Sequence, residues 1–448
     1  MTDAVDVSGS RLRSGATIQV AGFKHLAVMA IAAAVAIDGK VRLANVPLVA
    51  DVRIMCLILA RMGAQVERRG NQLELDCRTL RSPVIPVDLM AQIHGALYLI
   101  PALLARLGTV RFGSAGGCRI GSHGDGERPV HHLLDVLRRF GAVFVEDGDE
   151  TVGTVHALTA AEIDIADWSS DPYGIEGPLV SGATKAAIIS GILARGTTVI
   201  HHPYLRAEIT ELIALLIHLG VAISVTDGVI LIAGHVRNDD PAPFFLMPDL
   251  IEVVTYCACA VHGGITLRID GLAVAKVRHG LAAEFSLMAA MGIDLRWTER
   301  SLSISRPGVL EPFDTVADAD GIYSDGHPFF ALMALHARST SRIRDRIWTK
   351  RFRYVPELVK LGARMTVAGD GVFIVPGPLD RGGRTVVGTD VRAAAVLAIA
   401  ALTIPGSTRL HGVGHLARGY QDLFAKLRQF GADINPLPAS TPATVCEH

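Results

Sequence analysis

A short pattern, hydrophobic–polar–Leu/Met/Phe–Gly–Ala/Val/Ile, recurs six times in this 448-residue chain and limits its possible folds more than any other feature. It occurs as "ARMGAQV", "RRFGAVF", "IHLGVAI", "AAMGIDL", "VKLGARM" and "RQFGADI", with glycines at 63, 141, 220, 292, 362 and 431. Such spacing, about 70–80 residues, is the mark of a repeated supersecondary unit. In each copy the Gly ends an amphipathic helix, where a left-handed residue is needed, and an alternating stretch such as "GAQVERRGNQLELD" follows as strands. A second signal runs in phase. "GKVRLANV", "GTVRFGSA", "GTTVIHHP", "GGITLRID", "STSRIRDR" and "GSTRLHGV" each read as a half-buried strand after a Gly or Ser turn. The unit is therefore an apolar helix, a strand, an amphipathic helix and a hairpin, an α+β repeat with βαβ character. Six units divide into two domains of three, with the break expected near the polar, Pro-containing "HVRNDDPAP" at 235–243. The closing "LPASTPATVCEH", 437–448, carries no pattern and reads as a loose tail.

Half of the residues are apolar, which raises the question of a membrane. The longest apolar runs, "LAVMAIAAAVAI" and "AAAVLAIAAL", fall well short of the roughly 20 residues a spanning helix needs. They read as buried helices. The first 20 residues contain no apolar signal core, so a cytoplasmic location is expected. A formal net charge of −1 gives no support for general binding to nucleic acid or a membrane surface. The six cysteines have no ordered spacing, and Cys257-Ala-Cys259, inside an apolar run, reads as buried thiols rather than a metal pair.

The second unit is the exception. From strand-opening residue to capping Gly it spans 33 residues, Gly108 to Gly141, where the others span 23 to 29. The excess contains "GGCRIGSHGDGERP", 116–129, a Gly-rich loop with one cysteine. A repeat needs no such loop to fold, so extra residues there point to function.

Six repeats in two domains, with a Gly–Cys loop in the second unit, resemble the enolpyruvyl transferases, above all those of the UDP-N-acetylglucosamine 1-carboxyvinyltransferase kind. The resemblance runs through "AGFKHLAVMAIAAA", "LANVPLVADVRIM", "GGCRIG…RPV", "SGAT", "GTDVRAAAVL" and "LARGYQDL". The lysine–serine and Gly–Thr–Ala–Met–Arg blocks of the shikimate branch are missing. The resemblance implies a two-domain inside-out α/β barrel of six βαβαββ-type units with its site in the interdomain cleft. Residues 24–235 would form the first domain, and 1–23 with 236–436 the second. It also implies transfer of the enolpyruvyl group of phosphoenolpyruvate to a hydroxyl, with release of phosphate and with no metal or other cofactor. Cys118 matches the loop cysteine that acts as general acid. Lys24, Arg128, Arg351 and Arg418 match the cations that hold phosphoenolpyruvate; bidentate anion recognition favours arginine. Asp325 matches the residue that receives the acceptor's proton, and Asp390 and Arg392 match a supporting element at a helix start.

Several positions depart from the peptidoglycan enzyme. His25 stands where that enzyme has asparagine, His94 where it has arginine, His131 where it has an aspartate that meets uracil, and Pro178 near its acceptor lysine. The Cys-to-Arg loop is five residues longer. Together these alter the acceptor side, to which the resemblance assigns His25, His94, Pro129, Val130, His131, Ser181, Gly182 and Asp325. Loss of cations there points to an acceptor with less phosphate, because an uncompensated phosphate is costly to desolvate. A branch that places enolpyruvate on the 3′-hydroxyl of UMP, in nucleoside antibiotic pathways of the nikkomycin and polyoxin kind, fits that description. The expected partners are phosphoenolpyruvate and a uridine nucleotide, with no nucleic acid and no membrane. The alternatives are UDP-N-acetylglucosamine as acceptor, or a non-catalytic ligand- or RNA-binding module on the same fold.

Overall fold

The computed structural model describes residues 3–121, 128–168, 181–236, 241–348 and 351–437. The expected tail therefore lies almost wholly outside the described residues, as do 122–127 of the long loop and Pro178. The chain forms a two-domain mixed fold of many small sheets. All six predicted capping glycines adopt positive φ, from +86° at Gly220 and Gly292 to +111° at Gly362.

Helices and sheets take inverted places. The apolar helix of each unit is interior, and the sheets lie outside it. Lys24–Ala34, Leu99–Leu107 and Ser181–Gly191 pack together in one domain, and Leu250–Gly263, His327–Ala334 and Val391–Ala401 in the other. All eleven residues of Val391–Ala401 are buried, which is why these runs lack a polar face. The strands instead alternate, as in Lys40–Ala44, with one face on the helices. Among the described residues the six sheets stay separate, so neither domain closes into one continuous barrel. Cys257 and Cys259 lie on the interior helix Leu250–Gly263; both are buried thiols, and two residues of helix turn them to different faces.

The topology adds a strand that the repeat pattern did not show. In the unit around Ser181–Gly191, Glu162–Asp164 runs parallel to Thr198–His201 before the helix. Two of these leading strands are exchanged. Ala16–Gln19, which precedes the first helix, pairs with Leu267–Asp270 of the fourth unit; Phe244–Phe245, which precedes the fourth helix, pairs with Leu43–Ala44 of the first. One of the first three sheets thus draws a strand from beyond residue 236. Where the two segments pass, they bond as antiparallel neighbours: Phe23 N–H donates to the Met247 carbonyl and Asp249 N–H to that of Ala21, each at 2.8 Å.

One buried pair couples this fold to pH. His262 Nδ1 lies 3.0 Å from His336 Nε2, and its Nε2 lies 2.8 Å from Thr403 Oγ1. Burial, then the neighbouring cations, pushes His262 down to about 3 and His336 to about 4. The unfolded chain protonates them near 6.5, so their contribution is complete above that pH and is lost as pH falls from 6.5 toward 4. Urea midpoints should fall between pH 7 and pH 5, and His262→Gln should flatten that slope; equal slopes would overturn the assignment.

Candidate active site

The interior helices point their N-terminal ends at one another across a cleft of about 560 Å³. Lys24 and His25 open one of them. His94 precedes another, and Ser181 and Gly182 open the third of the first domain. Opposite them lie Asp325, two residues before His327–Ala334, and Asp390 with Arg392 at the start of Val391–Ala401. Helix N-termini carry unpaired N–H groups and positive potential, so their convergence makes an anion site before any side chain is counted. The side chains add to it. The lining holds seven Lys or Arg and four Asp or Glu, an excess of three positive charges.

Two carboxylates organise these cations. Asp51 binds Arg418 through Nε at 2.9 Å and Lys24 through Nζ at 3.4 Å. The same Arg418 extends Nη1 to within 3.4 Å of Cys118 Sγ, so thiol, lysine and arginine form one group. Gly116 and Gly117 place the thiol. A Cβ on Gly116 would lie 1.8 Å from the Ala91 carbonyl oxygen, and Gly117, at φ +116°, leaves 3.0 Å to His94 Cβ. The loop packs this closely only because both residues lack side chains. Arg128 returns to the cleft beneath Trp348, its guanidinium carbon 5.4 Å from the ring centre, with a buried Nε that has no acceptor among the described residues.

Asp325 is the second organiser. Arg351 reaches it at 2.6 Å, Arg392 at 2.9 Å and His25 Nε2 at 3.8 Å. Burial would raise its carboxyl, but the guanidiniums of Arg351 and Arg392, with Lys24, hold it well below the usual carboxylate range. Arg351 is 3% exposed, so it is no member of a basic surface run; its Nε and Nη1 are buried without acceptors. Asp390 caps its helix, accepting from the amides of Arg392 and Ala393, which orients Arg392 toward Asp325. His25 and His94 also line the cleft. Burial, with nearby cations, keeps His25 and His94 well below the ordinary imidazole range, so both are neutral near pH 7.

The structure thus brings together at the cleft all the sequence-derived site residues except Val130, which packs against the core just before the helix His131–Arg139. Sequence reasoning missed Asp51, His132, Lys185 and Trp348. Asp51 reads as an ordinary first-turn acid. Lys185 alone left a usable trace, being the one charge in "SGATKAAIISG".

Comparisons with known proteins agree with this geometry. The family model for EPSP synthase (3-phosphoshikimate 1-carboxyvinyltransferase) matches residues 9–427. The chain belongs to that family, and it is an enolpyruvyl transferase. The UDP-N-acetylglucosamine 1-carboxyvinyltransferase of Parasynechococcus marenigrum is 33% identical, covering 96% of this chain and 95% of its own. The crystal structure of the enolpyruvyl transferase NikO from Streptomyces tendae is also 33% identical, with a TM-score of 0.88 over 98% of this chain and 100% of that one. An EPSP synthase from Acinetobacter baumannii shares the fold at 16% identity, with a TM-score of 0.73 over 97% of this chain and all of that one.

The cleft also predicts which thiol reacts. Cys118 lines the cleft, whereas burial pushes Cys56 up to about 11 and Cys77 to about 12 and raises Cys257 and Cys259 further. Thiolate is the reactive form. Fosfomycin, an epoxide, should add one covalent mass that Cys118→Ala abolishes; a mass that persists in the variant would place the reactive thiol elsewhere.

Proposed function

We propose that this enzyme transfers the enolpyruvyl group of phosphoenolpyruvate to the 3′-hydroxyl of UMP. The observation that carries the choice of acceptor is His94, which lines the cleft at the position where the resemblance places an arginine. An arginine at position 94 would add a fixed charge to the cleft; a half-buried imidazole, whose protonation is disfavoured by desolvation and nearby cations, offers a hydrogen bond instead. The acceptor side is thereby matched to fewer phosphates than a nucleoside diphosphate sugar carries. Trp348 and Tyr98 supply flat apolar surface of the kind a pyrimidine base packs on.

In this reading Lys24, Arg128 and Arg418 hold the phosphate and carboxylate of phosphoenolpyruvate beside Cys118. The thiol gives its proton to the terminal methylene, which leaves the adjoining carbon electrophilic. The acceptor oxygen attacks that carbon as Asp325 takes the hydroxyl proton. A weak base serves, because the hydroxyl becomes strongly acidic as its bond to carbon forms. The Cys118 thiolate then takes a methyl proton back from the tetrahedral adduct as the carbon–oxygen bond to phosphate breaks, giving the enol ether and inorganic phosphate, which carries off the proton held on Asp325. Fixed cations around the adduct stabilise its charge without reorganising.

Phosphate release should be seen with phosphoenolpyruvate and UMP. Turnover of UDP-N-acetylglucosamine with none of UMP would replace the acceptor, and no release with either would favour a binding module. Asp325→Asn should lower kcat by about 10²–10⁴-fold, the range of general-base contributions, with the KM for acceptor changed only a few-fold. A rise in KM at unchanged kcat would make Asp325 a binding group only.

A further inference from the structure

The helix Ser181–Gly191 is buried throughout except at Ser181, and its one ionisable residue, Lys185, is only 8% exposed. Lys185 nonetheless lines the cleft. No carboxylate among the described residues lies within ion-pair reach of it. Its Nζ donates to Ser181 Oγ at 3.1 Å and sits 5.4 Å from the centre of the Tyr98 ring. A buried ammonium with no counter-charge is costly, and a methionine would fill the same volume without that cost.

The direction of the side chain shows what the lysine is for. Helical side chains lean back toward the N-terminus, so Lys185 carries its ammonium over the first turn. The first turn of a helix has N–H groups with no partner inside the helix and carries positive potential, so a cation over it is unfavourable by itself. An anion between them makes both favourable. A third group faces the same turn. His132, 7% exposed, packs so closely on Gly182 that a Cβ there would lie 2.2 Å from its Nε2, and its buried Nδ1 has no partner among the described residues. The cations around Cys118 form a separate set, tied to Asp51.

We propose that Lys185, with the first turn of its helix and His132, forms the phosphate site of the acceptor and makes the enzyme select a nucleoside monophosphate over the free nucleoside. One ammonium suits one phosphate group. The inference rests on the reading of the acceptor as a uridine nucleotide, and its test separates the two.

Lys185→Met should raise the KM for UMP about 10- to 100-fold, the worth of one charge-assisted hydrogen bond, while kcat and the KM for phosphoenolpyruvate change less than about threefold. The preference for UMP over uridine should fall by the same factor, and Lys185→Arg should restore part of it. A merely structural lysine would shift kcat and both KM values together and leave that preference unchanged, which would overturn the proposal. A second measurement does not depend on the acceptor. With phosphoenolpyruvate saturating, inorganic phosphate should raise the Tm of the wild type and not that of Lys185→Met. If the wild type turns over no uridine nucleotide, the acceptor reading fails and this measurement alone decides Lys185; equal Tm shifts in both proteins would remove the site.

Discussion

The site depends on the point where Ala21–Phe23 and Met247–Asp249 cross between the domains. Each segment leaves a strand in one domain and enters an interior helix of the other. Asp249 accepts from the amides of Ile251 and Glu252, capping its own helix, and also from the Lys24 amide at 3.1 Å. One carboxylate therefore ties the starts of two interior helices from different domains. Because Lys24 is the first residue of its helix, the same bond sets where this lysine enters the cleft. The exchanged leading strands make the crossing hard to undo, since moving either segment would break sheet pairing in the opposite domain.

The electrostatics follow from that geometry. Interior helices that converge by their N-termini concentrate positive potential, and the arginines and lysines around them would repel one another if left bare. Asp51 and Asp325 relieve this by each holding two cations. Neither carboxylate neutralises its site completely, and buried guanidinium donors on Arg128 and Arg351 keep capacity for a ligand. Such a cleft is pre-organised for anions and for the charge that develops on them, which is the requirement for making and collapsing a tetrahedral adduct.

Much of this was legible in the sequence because it is local. The left-handed glycines mark helix ends through their own backbone conformation, and the apolar runs mark interior helices through the absence of a polar face. Cys118, Lys24 and Asp325 stood out through their motifs. What escaped notice was set by distant partners. Asp51 becomes an organiser only when Arg418, 367 residues later, reaches it. Phe244–Phe245 is too short to read as a strand until Leu43 and Ala44 lie beside it. Lys185 gains its significance only from the burial of its helix.

The sequence by itself determined the repeat, the six helix ends, the interior helices and the identity of most of the residues that line the cleft. These are properties of short segments, governed by backbone sterics and by periodic burial. Only the tertiary structure decided which domain each leading strand joins, which cations share which carboxylate, and that His25 and His94 stay neutral. Pairing across hundreds of residues and the cost of removing a charge from water depend on what surrounds a group in space. Chain order does not record that.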